Sequence, residues 1–164
     1  MIRKERVVMT SLELLHQIIE ELEEYDIELK GASQKETRSF EEKVLSSMKA
    51  KLPEEYAALL AEVNGFAHND VHFLGIDDTP TLGGLGFFEQ NYVFETLHPY
   101  DDHFMVFAVS PFWVYALHVE SGAYQAIDRK TWKSDCEFES FEDMISYPFR
   151  EALNLLDLEE ESVR

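Results

Sequence analysis

LPEEYAALLAEVNG (residues 52–65), followed by DVHFLGI (residues 70–76), is where this chain changes period. Leu52-Pro53 opens a helix, with Pro53 at the first position, where a missing amide costs nothing. Tyr56, Leu59, Leu60 and Val63 recur at three- and four-residue spacing and form its buried face. Asn64-Gly65 closes it, because either residue tolerates the left-handed backbone of a helix exit. Residues 71–76 then read as a strand. The switch from helical to extended spacing divides a helical N-terminal part from a sheet.

Working outward, Thr10-Ser11-Leu12-Glu13 and Ser33-Gln34-Lys35-Glu36 read as capping boxes. The first opens a helix whose apolar stripe is Leu12, Leu15, Ile19 and Leu22. The second opens one that buries Phe40, Val44 and Met48. Downstream, residues 77–86 form an irregular loop rich in Gly, Pro and Asp. Residues 87–97 fit either a short helix or a strand. Residues 104–109 and 112–119 read as strands. Glu120-Ser121-Gly122 forms a tight turn with Gly122 at positive φ, and residues 124–128 return as the partner strand. Ser140 caps a last helix carrying Phe141, Met144 and Ile145, which Pro148 kinks or interrupts. The order predicts an α+β domain: N-terminal helices packed on an antiparallel meander sheet, with a C-terminal helix. At 164 residues we expect a single domain over 1–164, its core at 11–156, with 1–9 and 157–164 as flexible ends.

Charge is the second signal. Residues 52–128 contain no Lys or Arg, but they hold 12 carboxylates and five of the six histidines. The formal net charge is −19, with 45% hydrophobic and 13% aromatic residues. That composition is a folded acidic protein rather than a disordered acidic chain. An acidic surface attracts basic proteins and repels nucleic acid and anionic membrane. The single cysteine, Cys136, excludes an internal disulfide and a multi-cysteine zinc site. It suits a reducing cytoplasm. No apolar run reaches the roughly 18 residues of a membrane span, and the N-terminus lacks a signal-peptide pattern.

The string Leu52-Pro53-x-x-Tyr56 ending in Asn64-Gly65 resembles the core motif of the SMI1/KNR4 (SUKH) superfamily. The capped helix before it matches, as do the strand after it and the Val-x-x-x-Gly-x-Tyr hairpin at 119–124. The closing Phe-x-Ser-Phe-Glu-Asp-Met-Ile, residues 138–145, is similar to the ending of the YrhA-like branch. The resemblance spans about residues 11–147. It implies an α+β protein without catalytic residues or cofactor. It also implies a bacterial immunity protein that inactivates a nuclease- or deaminase-like toxin, or a regulatory interaction module. In it Leu52, Pro53, Tyr56, Asn64 and Gly65 are structural. The Gly-rich segment 79–86 and Pro148 depart from the family pattern.

Candidate sites follow from charge and loop position. Asp70, Asp77, Asp78, Asp101 and Asp102 are candidate contacts for a basic partner. Trp113 and Tyr115 would be aromatic anchors if their face of the strand were exposed. His68, His72, His98 and His103, with nearby aspartates, are the residue types of a zinc or iron site. The helix stop at Asn64-Gly65 breaks the register that would align His68 with His72, so we read the four as scattered, with a metal-dependent enzyme as the lesser alternative. The TLGGLG run at 81–86 lacks the lysine of a phosphate-binding loop. Cys136 lies between Asp135 and Glu137, which disfavour its thiolate, and reads as inert. Adjacent acids such as Glu54-Glu55 read as solvated rather than as a glycosidase pair. The sequence therefore predicts a cytoplasmic, non-catalytic domain whose sheet side is an acidic face for a cationic protein, which the resemblance implies is a cognate toxin domain.

Overall fold

A computed structural model describes residues 9–77, 85–98 and 102–156. Three helices come first: α1 (Ser11–Glu24), α2 (Gln34–Met48) and α3 (Glu54–Glu62). A short hairpin of β1 (Phe66–His68) and β2 (Val71–Phe73) follows, then α4 (Phe87–Leu97). The chain continues through β3 (Phe104–Val109), β4 (Trp113–His118), β5 (Ala123–Asp128) and β6 (Ser134–Phe138), and closes with α5 (Phe141–Ala152). The six strands form one sheet in the order β1-β2-β3-β4-β5-β6, every pair antiparallel. The predicted α+β meander is the observed architecture.

The caps behave as their chemistry requires. Ser33 and Glu36 form a reciprocal box at the start of α2. Thr10 accepts from the Glu13 amide, whereas the Glu13 carboxylate receives the Thr10 hydroxyl. The buried stripe of α1 is Leu14, Leu15, Ile18 and Leu22, with Leu12 exposed and Ile19 half-buried. The helix has more apolar positions than one face, and packing against α5 selects the phase. That contact is pinned by Glu142, which accepts from the Ser11 amide at 2.7 Å and the Ser11 hydroxyl at 2.5 Å.

α5 lies on one face of the sheet, called here the inner face, beside α1 and α3. Tyr56 of α3 is the hub of this core. Its buried ring meets Phe40, Phe73, Phe87, Phe107 and Phe141, with centroids 4.9–6.3 Å apart. Its hydroxyl donates to the carbonyl of Leu74 at 2.5 Å. Leu52 is buried beneath the helix start, and Pro53 serves as the N-cap. At the exit, Gly65 has φ +81°, and a Cβ there would lie 2.9 Å from the Gly75 nitrogen. A glycine is thus required both for its conformation and for close approach. The Asn64 side chain accepts from the Ile76 amide at 2.8 Å. Tyr56, Asn64 and Gly65 thus tie α3 and its exit to the chain leaving β2, while Leu52 and Pro53 set the start of the helix.

Several expectations need correction. The strand expected over 71–76 ends at Phe73 and pairs with β1, which had no periodic signal because it is only three residues long. Residues 87–97 are helical. β6 was not foreseen, since SDCEF is almost wholly exposed and held by ladder bonds rather than burial. Pro148 does not interrupt α5. The helix runs through it, with Met144 and Ile145 before and Phe149 and Ala152 after all buried. Burial on both sides offsets the one amide bond that proline removes.

Candidate functional site

The opposite, outer face of the sheet carries a cleft. Side chains alternate across a pleated strand, so the inner-facing sets Met105/Phe107 and Trp113/Tyr115 leave Phe104, Val106, Val114 and Ile127 facing outward. With Phe94 of α4 and Trp132, these residues floor a cleft of about 670 Å³. α4 is held beside the sheet by Asn91, which is buried. Its amide donates to the carbonyls of Phe87 and Val106 and accepts from the Val106 amide at 2.8 Å. Asn91 thus serves as a one-residue strand partner on the free flank of β3, next to the register shift between Val106 and Ala108.

Trp132 reaches the cleft from the β5–β6 turn. Asp128 organises that turn by accepting from the amides of Lys130 and Thr131, and these bonds hold its carboxyl below the usual range. Trp132 takes φ +61° and meets Phe94 at 5.8 Å and His98 at 5.6 Å. His98 also lies 4.9 Å from Phe104. An aromatic wall results. At the mouth stand Glu95, Asp102 and Glu120, all exposed, opposite Lys49. Asp102 and Glu120 lie 3.4 and 3.6 Å from His118 Nε2. Glu120 also accepts from the His103 amide. Tyr92, 71% exposed, flanks the opening.

Of the predicted contacts, only Asp102 is on this rim. Asp78 and Asp101 lie outside the described residues. Asp70 occupies the tight β1–β2 turn with Asn69, both at positive φ, at the opposite end of β3. Asp77 is an internal cap: its carboxylate accepts from the Phe88 and Glu89 amides at the start of α4. Tyr115 is not an anchor. It is fully buried, and its hydroxyl donates to Glu151. Trp113 is half-buried against Tyr147 and donates to Asp135 at 3.0 Å. Both strand faces are covered here, so the exposed aromatic of this run is Phe112, in the turn before β4. The outer side of the sheet thus carries a cleft beside α4 with Glu95, Asp102 and Glu120 exposed along it.

The four histidines are not brought together. His68 faces α1, 2.8 Å from Glu21, whereas His72 points to the outer face. His98 and His103 sit at the cleft. Among the described residues no three His, Cys, Asp or Glu side chains are grouped to hold a metal. Burial, then Asp135 and Glu137, push the Cys136 thiol up, away from thiolate chemistry. Phe94, Phe104, Glu95, Glu120 and Trp132 escaped the sequence reading. The signal available was Trp132, a large aromatic between Thr131 and Lys133 in an otherwise polar turn.

His72 makes a separate prediction. Burial lowers its pKa from the ordinary 6.5, Arg129 acts in the same direction, and Asp70 only partly opposes them. The unfolded chain therefore protonates first, so the contribution of His72 is complete above pH 6.5 and is lost as pH falls below it. His72→Gln should flatten the fall in urea midpoint between about pH 7 and 5 relative to the parent. Parallel profiles would refute this.

No protein-family model matches the chain, and no curated protein matches it. Among the described residues no helix is long and apolar enough to cross a membrane.

Proposed function

We propose that this chain is a non-catalytic protein-binding domain of the SMI1/KNR4 kind, acting in the cytoplasm as an immunity protein. Its partner is a basic toxin domain of nuclease or deaminase type, whose cationic substrate surface it covers. The observation that carries the reading is the cleft: an apolar, partly aromatic floor beneath a rim of exposed carboxylates, with most of its lining drawn from the 77-residue stretch free of Lys and Arg. Apolar floors supply affinity, and complementary charge supplies association rate and choice of partner. The motif residues at 52–65 support the family reading, since they make the helix exit on which the sheet is built.

The test is binding to a toxin domain encoded beside this gene, by calorimetry between about 0.05 and 0.5 M salt. Binding that weakens at least about tenfold over that range, together with suppression of toxin activity, is the expected result. No binding would refute the reading, and salt-independent binding would refute its electrostatic part.

A further inference from the structure

We propose that the cleft between α4 and the outer face of the sheet receives an arginine side chain presented on a basic loop of the protein partner. The proposal rests on the protein-binding reading above and names the chemistry recognised. Three observations select a guanidinium. The wall is aromatic, with Phe94, Trp132, His98 and Phe104 in a chain of ring contacts, and a guanidinium stacks on such rings while shedding its weak hydration. The rim places Asp102 and Glu120 around His118 Nε2, with Glu95 also at the mouth. Paired carboxylates can accept the forked donors of arginine. The volume, about 670 Å³, exceeds one side chain and admits the residues flanking it.

The same observations disfavour other occupants. A phosphate or other polyanion would meet three carboxylates and one cation, Lys49. A second copy of this chain would bring a net charge of −19 against the same sign. Lysine could reach the rim, but its compact, strongly hydrated ammonium gains less from the rings.

The chain has two tryptophans, so Trp113→Phe leaves Trp132 as the sole indole reporter, inside the cleft. The probes are an amidated peptide bearing a central arginine and the same peptide with lysine or with neutral citrulline. Saturable change in Trp132 emission with the arginine peptide is expected. Affinity should be at least about tenfold weaker for citrulline and measurably weaker for lysine. The triple variant Glu95→Gln/Asp102→Asn/Glu120→Gln should weaken the arginine peptide similarly, with the thermal transition retained as proof of folding. No saturable response, or equal response to citrulline, overturns the proposal; the latter would indicate a neutral ligand. The triple variant and Trp132→Ala are then assayed against the basic partner protein. If both bind it as the parent does, the cleft is not the recognition site, although the protein-binding reading stands. If the parent binds no basic protein, that reading itself fails.

Discussion

Tyr56→Ala is expected to lower the unfolding free energy by about 3–5 kcal/mol, the range for removing a large buried aromatic. Five phenylalanine rings from α2, β2, α4, β3 and α5 converge on this side chain. The resulting void would touch every layer of the inner core, so little local collapse could fill it. A loss of that size is a large share of the roughly 5–15 kcal/mol that domains possess. Tyr56→Phe separates packing from bonding. It keeps the ring but strands the buried carbonyl of Leu74, for an expected loss of about 1–3 kcal/mol. Burial, then Asp77, raise the phenol pKa well above its ordinary value. The hydroxyl therefore remains a donor at neutral pH, and the contribution of Tyr56 is lost only as alkali ionises the phenol of the unfolded chain. Urea unfolding of both variants, read by circular dichroism, checks the pair. A Tyr56→Phe midpoint equal to the parent would show that the Leu74 bond adds nothing.

Asn91→Leu should cost about 2–4 kcal/mol despite being close in size, because it strands both the amide and the carbonyl of Val106. β2 pairs with β3 only at His72–Val109 and Phe73–Ala108. Val106 lies beyond the end of that pairing, on a flank closed by the asparagine. The loss should be local as well as global. Hydrogen exchange at the Val106 amide should rise by more than exchange in β4–β5, since the variant opens α4 away from the sheet before the sheet unfolds. Uniform acceleration across the sheet would contradict a bridging role for Asn91.

Residues whose local chemistry matched their global role were readable from sequence. The capping residues and the positive-φ Gly122 act through neighbours a few positions away, and the buried face of α3 and the Gly65 exit show in local spacing and residue type; each occurs as expected. Elements specified by distant contacts were not. β6 owes its existence to pairing with β5, and the phase of α1 to α5. The cleft was the least legible part, because its floor comes from α4, β3, β4, β5 and a turn. Charge located the acidic stretch but could not separate Asp102, on the rim, from Asp77, which is consumed in capping α4. Apolar pattern marked Trp113 and Tyr115, yet only packing shows that Tyr115 is enclosed by α5.

The bond between Ser11 and Glu142 joins residues 131 positions apart, and it orders events during synthesis. The meander from β3 to β6 can assemble one hairpin at a time, each pairing closing a short loop. The apolar stripe of α1 gains its principal cover only from α5, which leaves the ribosome after all six strands. Until then α1 is an amphipathic segment without its dock, the kind of exposed surface that chaperones hold. A ribosome stalled with α5 still inside its tunnel would therefore display α1 without the helix that seats it.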